Sequence, residues 1–385
     1  MRRITLLVFL FVSSLSGFSQ ITHDGYYRVS NLKTGRYVYV RDNTGSLNIQ
    51  TTSADMGALE LWKDHNRTLS DPGSVIYIQK KGTNSSVGDY YDLQSQGTGV
   101  YSIIKYYVYA DYSRGSYQVY AEGKYLSDEN SGSADDGAMG TTNTGNYRRW
   151  LVSEINGEDE YFGITPSIVS GERYFQPFFA DFGFTLKGEG MKVWLVSQVT
   201  ADGAVIVPFE GTVVPARTPI IIECSHAEVS DNKLDLVRNY SSLNQTNILK
   251  GVYFNNPYRH KSTDARKVYD KNTMRVLGIM SDGRLGYVLS KEPVDSKTKK
   301  QYLAANQSYL VVGQDIPDEI PLLTESEYQA ILDERIQAKV PLVSQGKLSE
   351  VYSLSGNYLG NLTETEINQL PSGIYFINRR KMVIP

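Results

Sequence analysis

The sequence predicts a mainly β protein, and three observations carry that prediction. Tyrosine is abundant, 29 residues against 12 phenylalanines, and an apolar ring with a polar tip suits half-exposed sheets. Clusters of Gly, Asn, Asp and Ser recur about every ten residues, at the spacing of turns between short strands. Long helical periodicity is almost absent.

The opening stretch "MRRITLLVFLFVSSLSGFSQ" stands apart from the fold. A basic start (Arg2, Arg3), an apolar run from Ile4 to Val12, and small residues Gly17 and Ser19 before a cut predict a secretory signal over residues 1–19, with cleavage before Gln20. The apolar run is far short of the ~20 residues that a spanning helix needs. No cysteine stands at the cut, so no lipid anchor is expected. The sequence thus predicts an exported protein, secreted or on the cell surface, without membrane insertion.

About 365 residues remain, enough for two or three domains. The lone Cys224 cannot form an internal disulfide, which for an exported chain of this size favours a bacterial source. Its place at the end of "IIIEC" predicts a buried structural thiol. A net charge of −3, with both signs interspersed, argues against nucleic acid or an anionic membrane as partner.

Three segments between residues 20 and 155 share a rhythm. They open with "GYYRVSNLKTGRYVYV", "SVIYIQKKG" followed by "DYYDLQSQG", and "GSYQVYAEGKYLSD". Each makes an alternating strand, turns on Gly, and continues into a second strand closing on Tyr37-Val38, Tyr90-Tyr91 or Tyr125-Leu126. A unit this short cannot bury its own apolar face, so three of them predict a closed threefold arrangement. The pattern resembles a ricin-type β-trefoil, whose repeats end on Gln-x-Trp. The equivalents here are Glu60-Leu61-Trp62 and Arg148-Arg149-Trp150. On this reading Trp62 and Trp150 fill the repeat core, and Arg148 and Arg149 take surface or capping positions.

Residues 156–320 are read as a β-rich, sandwich-like module, with tight turns at Asp202-Gly203 and Asp282-Gly283. Continuously apolar runs such as "TPIIIEC" and "SYLVV" predict strands covered on both sides. The phrases "GTVVPARTPIII", "NILKGV" and "LAANQSYLVV" resemble a module of exported proteins from Bacteroidota-type bacteria. Residues 321–342 supply the one short helix: Thr324 and Glu327 form a capping box, and Tyr328, Ile331, Leu332 and Ile336 share a face. Residues 343–385 predict a small β unit of two strands around a polar loop and a Pro-Ser-Gly turn. With "VYSLSG" and "LPSGIYFI", this tail resembles the sorting tail of type IX secretion.

Catalytic signatures are lacking. The four histidines (His23, His65, His226, His260) have no second histidine or cysteine at ligand spacing, so no metal site is expected. No nucleophile elbow, phosphate loop or dinucleotide fingerprint is present, and no cofactor is expected. Paired carboxylates of a glycoside hydrolase come from distant strands and leave no linear signature. The acidic loop "SDENSGSADDG" lacks the alternate ligands and closing Glu of a calcium loop and reads as solvated.

The trefoil resemblance implies sugar-binding positions. In that family an Asp shortly after the second strand's closing pair accepts bonds from sugar hydroxyls, and an aromatic ring stacks on the pyranose. Asp92, directly after Tyr90-Tyr91, fits that position, and Asp128 follows Tyr125-Leu126 one residue late. Tyr91 and Tyr107, with Tyr106, Tyr109 and Tyr112 close by, are the candidate aromatic partners. A turn residue capping its own backbone is the ordinary alternative for each Asp. The expectation is a non-catalytic, lectin-like protein that binds a glycan or cell-surface polysaccharide. The alternative is a structural or adhesive surface protein whose trefoil contacts another protein.

Overall fold

The computed structural model describes residues 21–40, 59–86, 88–95, 107–111, 115–121, 124–129, 136–140, 142–252, 267–296, 299–339 and 348–384. The chain is mainly β. The described residues up to Leu322 form one compact unit, and those from Leu323 form a second.

The first eleven strands are β1 (Gly25–Asn31), β2 (Tyr37–Val40), β3 (Leu59–Trp62), β4 (Ile76–Asn84), β5 (Gly88–Ser95) and β6 (Tyr107–Asp111), then β7 (Ser116–Ala121), β8 (Lys124–Tyr125), β9 (Ser127–Asp128), β10 (Asp136–Gly140) and β11 (Trp150–Glu154). Six of them close a ring in the order β1-β4-β5-β6-β7-β11, and β11 returns to β1. The β2–β3 and β9–β10 hairpins join through β3 and β10 outside that ring. The ring is thus a closed six-stranded barrel, with these two hairpins attached to it through β2.

The registers fix which residues are equivalent. Tyr27 faces Ile76, Tyr91 faces Val108 and Tyr117 faces Trp150 across three successive strand pairs. The second repeat therefore opens at Asp89-Tyr90-Tyr91, not at "SVIYIQKKG", which is the last strand of the first repeat. Trp150 corresponds to Ile76 in the barrel wall, whereas Trp62 lies in the hairpin strand β3 opposite Tyr37. The ring encloses Tyr27, Val29, Ile76, Ile78, Leu93, Val119 and Trp150. Trp150 is fully buried and its indole N–H donates to the Leu126 carbonyl at 3.2 Å, so it is a core residue. Arg149 is also buried, at 7 % exposure, rather than at the surface as its sequence neighbourhood suggested.

Thirteen strands follow: β12 (Phe162–Gly163), β13 (Ile168–Ser170), β14 (Arg173–Phe178), β15 (Gly183–Leu186), β16 (Lys192–Thr200), β17 (Gly203–Pro208) and β18 (Ile220–Cys224), then β19 (Lys233–Val237), β20 (Lys250–Val252), β21 (Met274–Ile279), β22 (Leu285–Val288), β23 (Gln307–Val311) and β24 (Ile320–Thr324). Ten form one curled sheet, and β12, β19 and β15 form a small sheet beside it. The two pack as a sandwich around Phe162, Phe178, Phe182, Phe184 and Leu234. β18 is buried at all five positions: Ile220, Ile222 and Cys224 face that core, while Ile221 joins a second core inside the curl with Leu277 and Leu310. That double cover is why "PIIIEC" lacks alternation.

No gap separates barrel from module. Tyr26, Val75 and Tyr77 of the barrel share a core with Phe162 and Phe182, and the Tyr26 hydroxyl donates to the Val237 carbonyl at 3.2 Å.

In the second unit α2 (Glu325–Lys339) starts on the expected capping box. Thr324 N–H donates to Glu327 Oε2 at 2.7 Å, and Glu327 N–H to Thr324 Oγ1 at 3.3 Å. Single-turn helices also occur at His65–Thr68 (α1) and Glu364–Ile367 (α3). The tail makes four strands rather than two: β25 (Ser349–Ser353), β26 (Tyr358–Leu362), β27 (Gly373–Ile377) and β28 (Arg380–Ile384), ordered β26-β25-β27-β28. The β27–β28 turn holds Asn378 and Arg379 at φ of 47° and 66°. Arg is an uncommon choice there, which hid the hairpin in the sequence.

Candidate functional site

Three of the four residues singled out for sugar binding, Asp92, Tyr91 and Tyr107, sit in the barrel wall. Asp92 on β5 faces Gln79 and Tyr107 in register, and its carboxylate is 3.3 Å from Lys81 Nζ with a tenth of the side chain exposed. By the barrel's equivalences it corresponds to Arg28 and Gln118, one residue beyond Tyr27 and Tyr117. Tyr91 points into the core at 5 % exposure, and its hydroxyl donates to the Ile21 carbonyl at 3.3 Å. Tyr107 is a β6 residue; its side chain, like Tyr106 and Tyr112, lies outside the described residues. Asp128 is fully buried, and its Oδ2 accepts from Arg36 Nη1 and Thr34 Oγ1, both at 2.7 Å. The structure brings Asp92 beside Tyr107 along the ladder and leaves Asp128 on a separate hairpin.

A polar cluster that no linear pattern announced lies between barrel and module. Glu160 Oε2 accepts from Arg28 Nη1 at 2.8 Å and is 3.1 Å from His65 Nε2, while Tyr37 donates its hydroxyl to Oε1 at 3.2 Å. The His65 ring stacks on Tyr37 with centroids 4.9 Å apart. α1 positions the histidine, and the Asp64 side chain caps its first turn. Burial opposes ionisation of Glu160, yet its bonds from His65 and Arg28 hold the carboxyl below its ordinary range. Burial, then the Glu160 charge, pushes the Tyr37 phenol up to about 12. Arg28 is buried with further bonds to the Thr68 carbonyl at 3.0 Å and Ser74 Oγ at 3.4 Å. Every charge here has a partner.

The module holds a similar group. Glu223 accepts from Arg173 at 3.0 and 2.8 Å and from the Trp194 indole at 2.8 Å. Burial works against its charge, and these bonds lower its pKa regardless. The neighbouring Cys224 thiol is pushed up to about 12 by burial, then by Glu223, as suits a structural residue. Among the described residues no group of three or more His, Cys, Asp or Glu is placed to hold a metal, and no helix is long and apolar enough to cross a membrane.

One surface feature has unused hydrogen-bonding capacity. The loops 209–215, after β17, and 239–245, after β19, form the walls of a cleft of about 500 Å³. Gln245 ties them together: Glu210 N–H donates to its Oε1 at 2.9 Å, and its Nε2 donates to the Pro208 carbonyl at 3.1 Å. Two aromatic rings line the cleft, and each lies over a glycine. A Cβ on Gly211 would stand 2.5 Å from Phe209 Cζ, and one on Gly183 would stand 2.6 Å from Tyr240 Cδ1. Tyr240 is 43 % exposed. Around it the side chains of Asn239, Ser241, Ser242 and Asn244, all exposed, make no hydrogen bond with the described residues. An exposed ring beside amides and hydroxyls presents a flat apolar face and several donors and acceptors together.

No family model and no curated protein matches the chain.

Proposed function

We propose that this is an exported, non-catalytic carbohydrate-binding protein, with the Phe209–Tyr240 cleft as its glycan site. The observation that carries the reading is the Tyr240 ring, exposed and held over Gly183, among amides and hydroxyls without internal partners. A pyranose has an apolar CH face and a rim of hydroxyls, and this lining complements both. The non-catalytic part is supported by Glu160 and Glu223, two largely buried carboxylates set in polar clusters. Both are held ionised by arginine, which suits neither for donating a proton at neutral pH. The N-terminal signal-like segment supports export.

The test is a glycan array on the chain from Gln20 onward, repeated with Tyr240→Ala and Asp92→Asn. Loss of binding in Tyr240→Ala, with binding kept in Asp92→Asn, supports the cleft. The reverse pattern returns the site to the barrel wall. A flat array for the parent removes the glycan reading and favours a protein partner, for which the exposed Tyr358, Leu359 and Val383 of the C-terminal sheet offer apolar surface.

A further inference from the structure

A second cleft, of about 470 Å³, lies in the curled sheet of the module. Val169, Val276, Leu277, Ile279, Val288 and Leu303 are among its lining residues. Among the described residues no aromatic ring lines it, and the two charged ones that do, Lys291 and Glu292, are exposed neighbours of opposite sign. It therefore lacks the stacking face that suits a pyranose and carries no net charge.

Two strand edges open onto this cleft. β13 ends the ten-stranded sheet, with β14 on one flank and no strand on the other. Its hairpin closes on Ser170 and Arg173 around the two-residue turn Gly171-Glu172, so Val169 turns its N–H and C=O away from β14. β22 follows β21 as far as Ile279, but β23 pairs with the other flank only from Met274 to Val276. The register would next set Ser308 opposite Leu277 and Gln307 opposite Gly278, yet the ladder ends there, and Gln307 lines the cleft. Leu277–Ile279 thus have no strand beside them on that flank among the described residues. Open edges on two walls of an apolar, uncharged cleft suit an added strand, which takes affinity from main-chain bonds and fit from alternate side chains. We propose that this cleft binds an extended, uncharged, apolar peptide segment of another protein, paired with β13 at Val169 and lying along Leu277–Ile279. The site is separate from the Tyr240 cleft and does not depend on the glycan reading.

The experiment titrates the chain from Gln20 onward with labelled heptapeptides that alternate Val, Ile or Leu with Ser or Thr. Each is tested beside two copies N-methylated at its odd or its even residues. Methylation keeps every side chain and deletes the main-chain donors of one edge. At least one unmethylated peptide should bind, and one of its methylated copies about tenfold more weakly, as for main-chain bonds lost. Val169→Pro deletes the donor on the protein side, where an edge strand tolerates proline, and should weaken the same peptide about three- to tenfold. Tyr240→Ala should bind the peptide as the parent does. Binding of no heptapeptide, or equal binding of all three forms, overturns the proposal, and so does a folded Val169→Pro that binds like the parent. The methylated copies need no variant, so they decide the matter even where Val169→Pro does not fold.

Discussion

The backbone N–H of Ile21 donates to the Tyr117 hydroxyl at 2.7 Å, deep in the barrel. Tyr91 donates to the carbonyl of the same residue at 3.3 Å, and Tyr27 to the His23 carbonyl at 2.8 Å. Tyr27, Tyr91 and Tyr117 are the three equivalent positions of the repeats, so each repeat contributes one hydroxyl to hold the entering chain. The three rings join the apolar core while their tips bond the entering backbone, where the Ile21 N–H would otherwise be buried without a partner.

Tyr117→Phe should therefore destabilise the protein although it keeps the ring. The Ile21 N–H is left without its acceptor, at a cost of about 1–3 kcal/mol. Chemical denaturation of parent and variant, compared at equal slope, measures it. An unchanged midpoint would show that the entering segment adds nothing to barrel stability.

The strands were legible in the sequence because half-buried sheets alternate, and Tyr marks their faces. The phase of the repeats was not. "GRYVYV" of a hairpin and "GYYRV" of the barrel wall carry the same alternation, and only long-range pairing such as Tyr27 with Ile76 separates them. The pairing sets Asp92 in the wall, beside Gln79 and Tyr107. The Phe209–Tyr240 cleft was illegible for a related reason: "NYSSLNQ" read alone is a turn-forming tract, and Gln245 brings it to the other loop across 35 residues of sequence.

Trp150→Ala removes a fully buried indole and its bond to the Leu126 carbonyl. Large-to-small changes of this kind cost about 3–5 kcal/mol. Since Trp150 faces Tyr117 across β7 and β11, Tyr117→Phe and Trp150→Ala should be non-additive in a double-mutant cycle. Independent effects would place the cavity away from the tyrosine triad.

Tyr287 gives the opposite sign. Its ring is fully buried, and no described residue hydrogen-bonds its hydroxyl. Burial alone raises its pKa. Tyr287→Phe deletes a polar group that gains nothing from folding, so stability should rise by about 1 kcal/mol or more. A loss on thermal unfolding would mean that the hydroxyl is satisfied after all.

The Glu160 cluster sets an acid limit on stability. Its folded pKa is depressed below the ordinary 4.5, with burial opposing and His65 and Arg28 prevailing. A depressed carboxyl stabilises fully above its unfolded pKa, and that contribution fades as pH falls through the folded value. Glu160→Gln leaves Arg28 buried without its counter-charge, at about 3 kcal/mol near neutrality. The gap between parent and variant should narrow on acidification below about pH 4.5. A gap that is constant from neutral to acid pH would assign the loss to packing instead of charge.

The last prediction separates the Tyr240 ring from its seat. At 43 % exposure Tyr240 is not a core residue, so Tyr240→Ala should leave the unfolding midpoint nearly unchanged. Stacking of a sugar on the ring is worth about 1 kcal/mol, so glycan affinity should fall about fivefold. Tyr240→Phe keeps the face and should keep most of the binding. Gly183→Ala keeps the identity of every cleft side chain but sets a methyl against the ring, 2.6 Å from its Cδ1. The ring must move, and binding should fall as in Tyr240→Ala. Titration of the three variants with one bound glycan decides the matter. Should Gly183→Ala bind like the parent while Tyr240→Ala does not, the ring contributes its presence and not its position; if both bind like the parent, the cleft is not the glycan site.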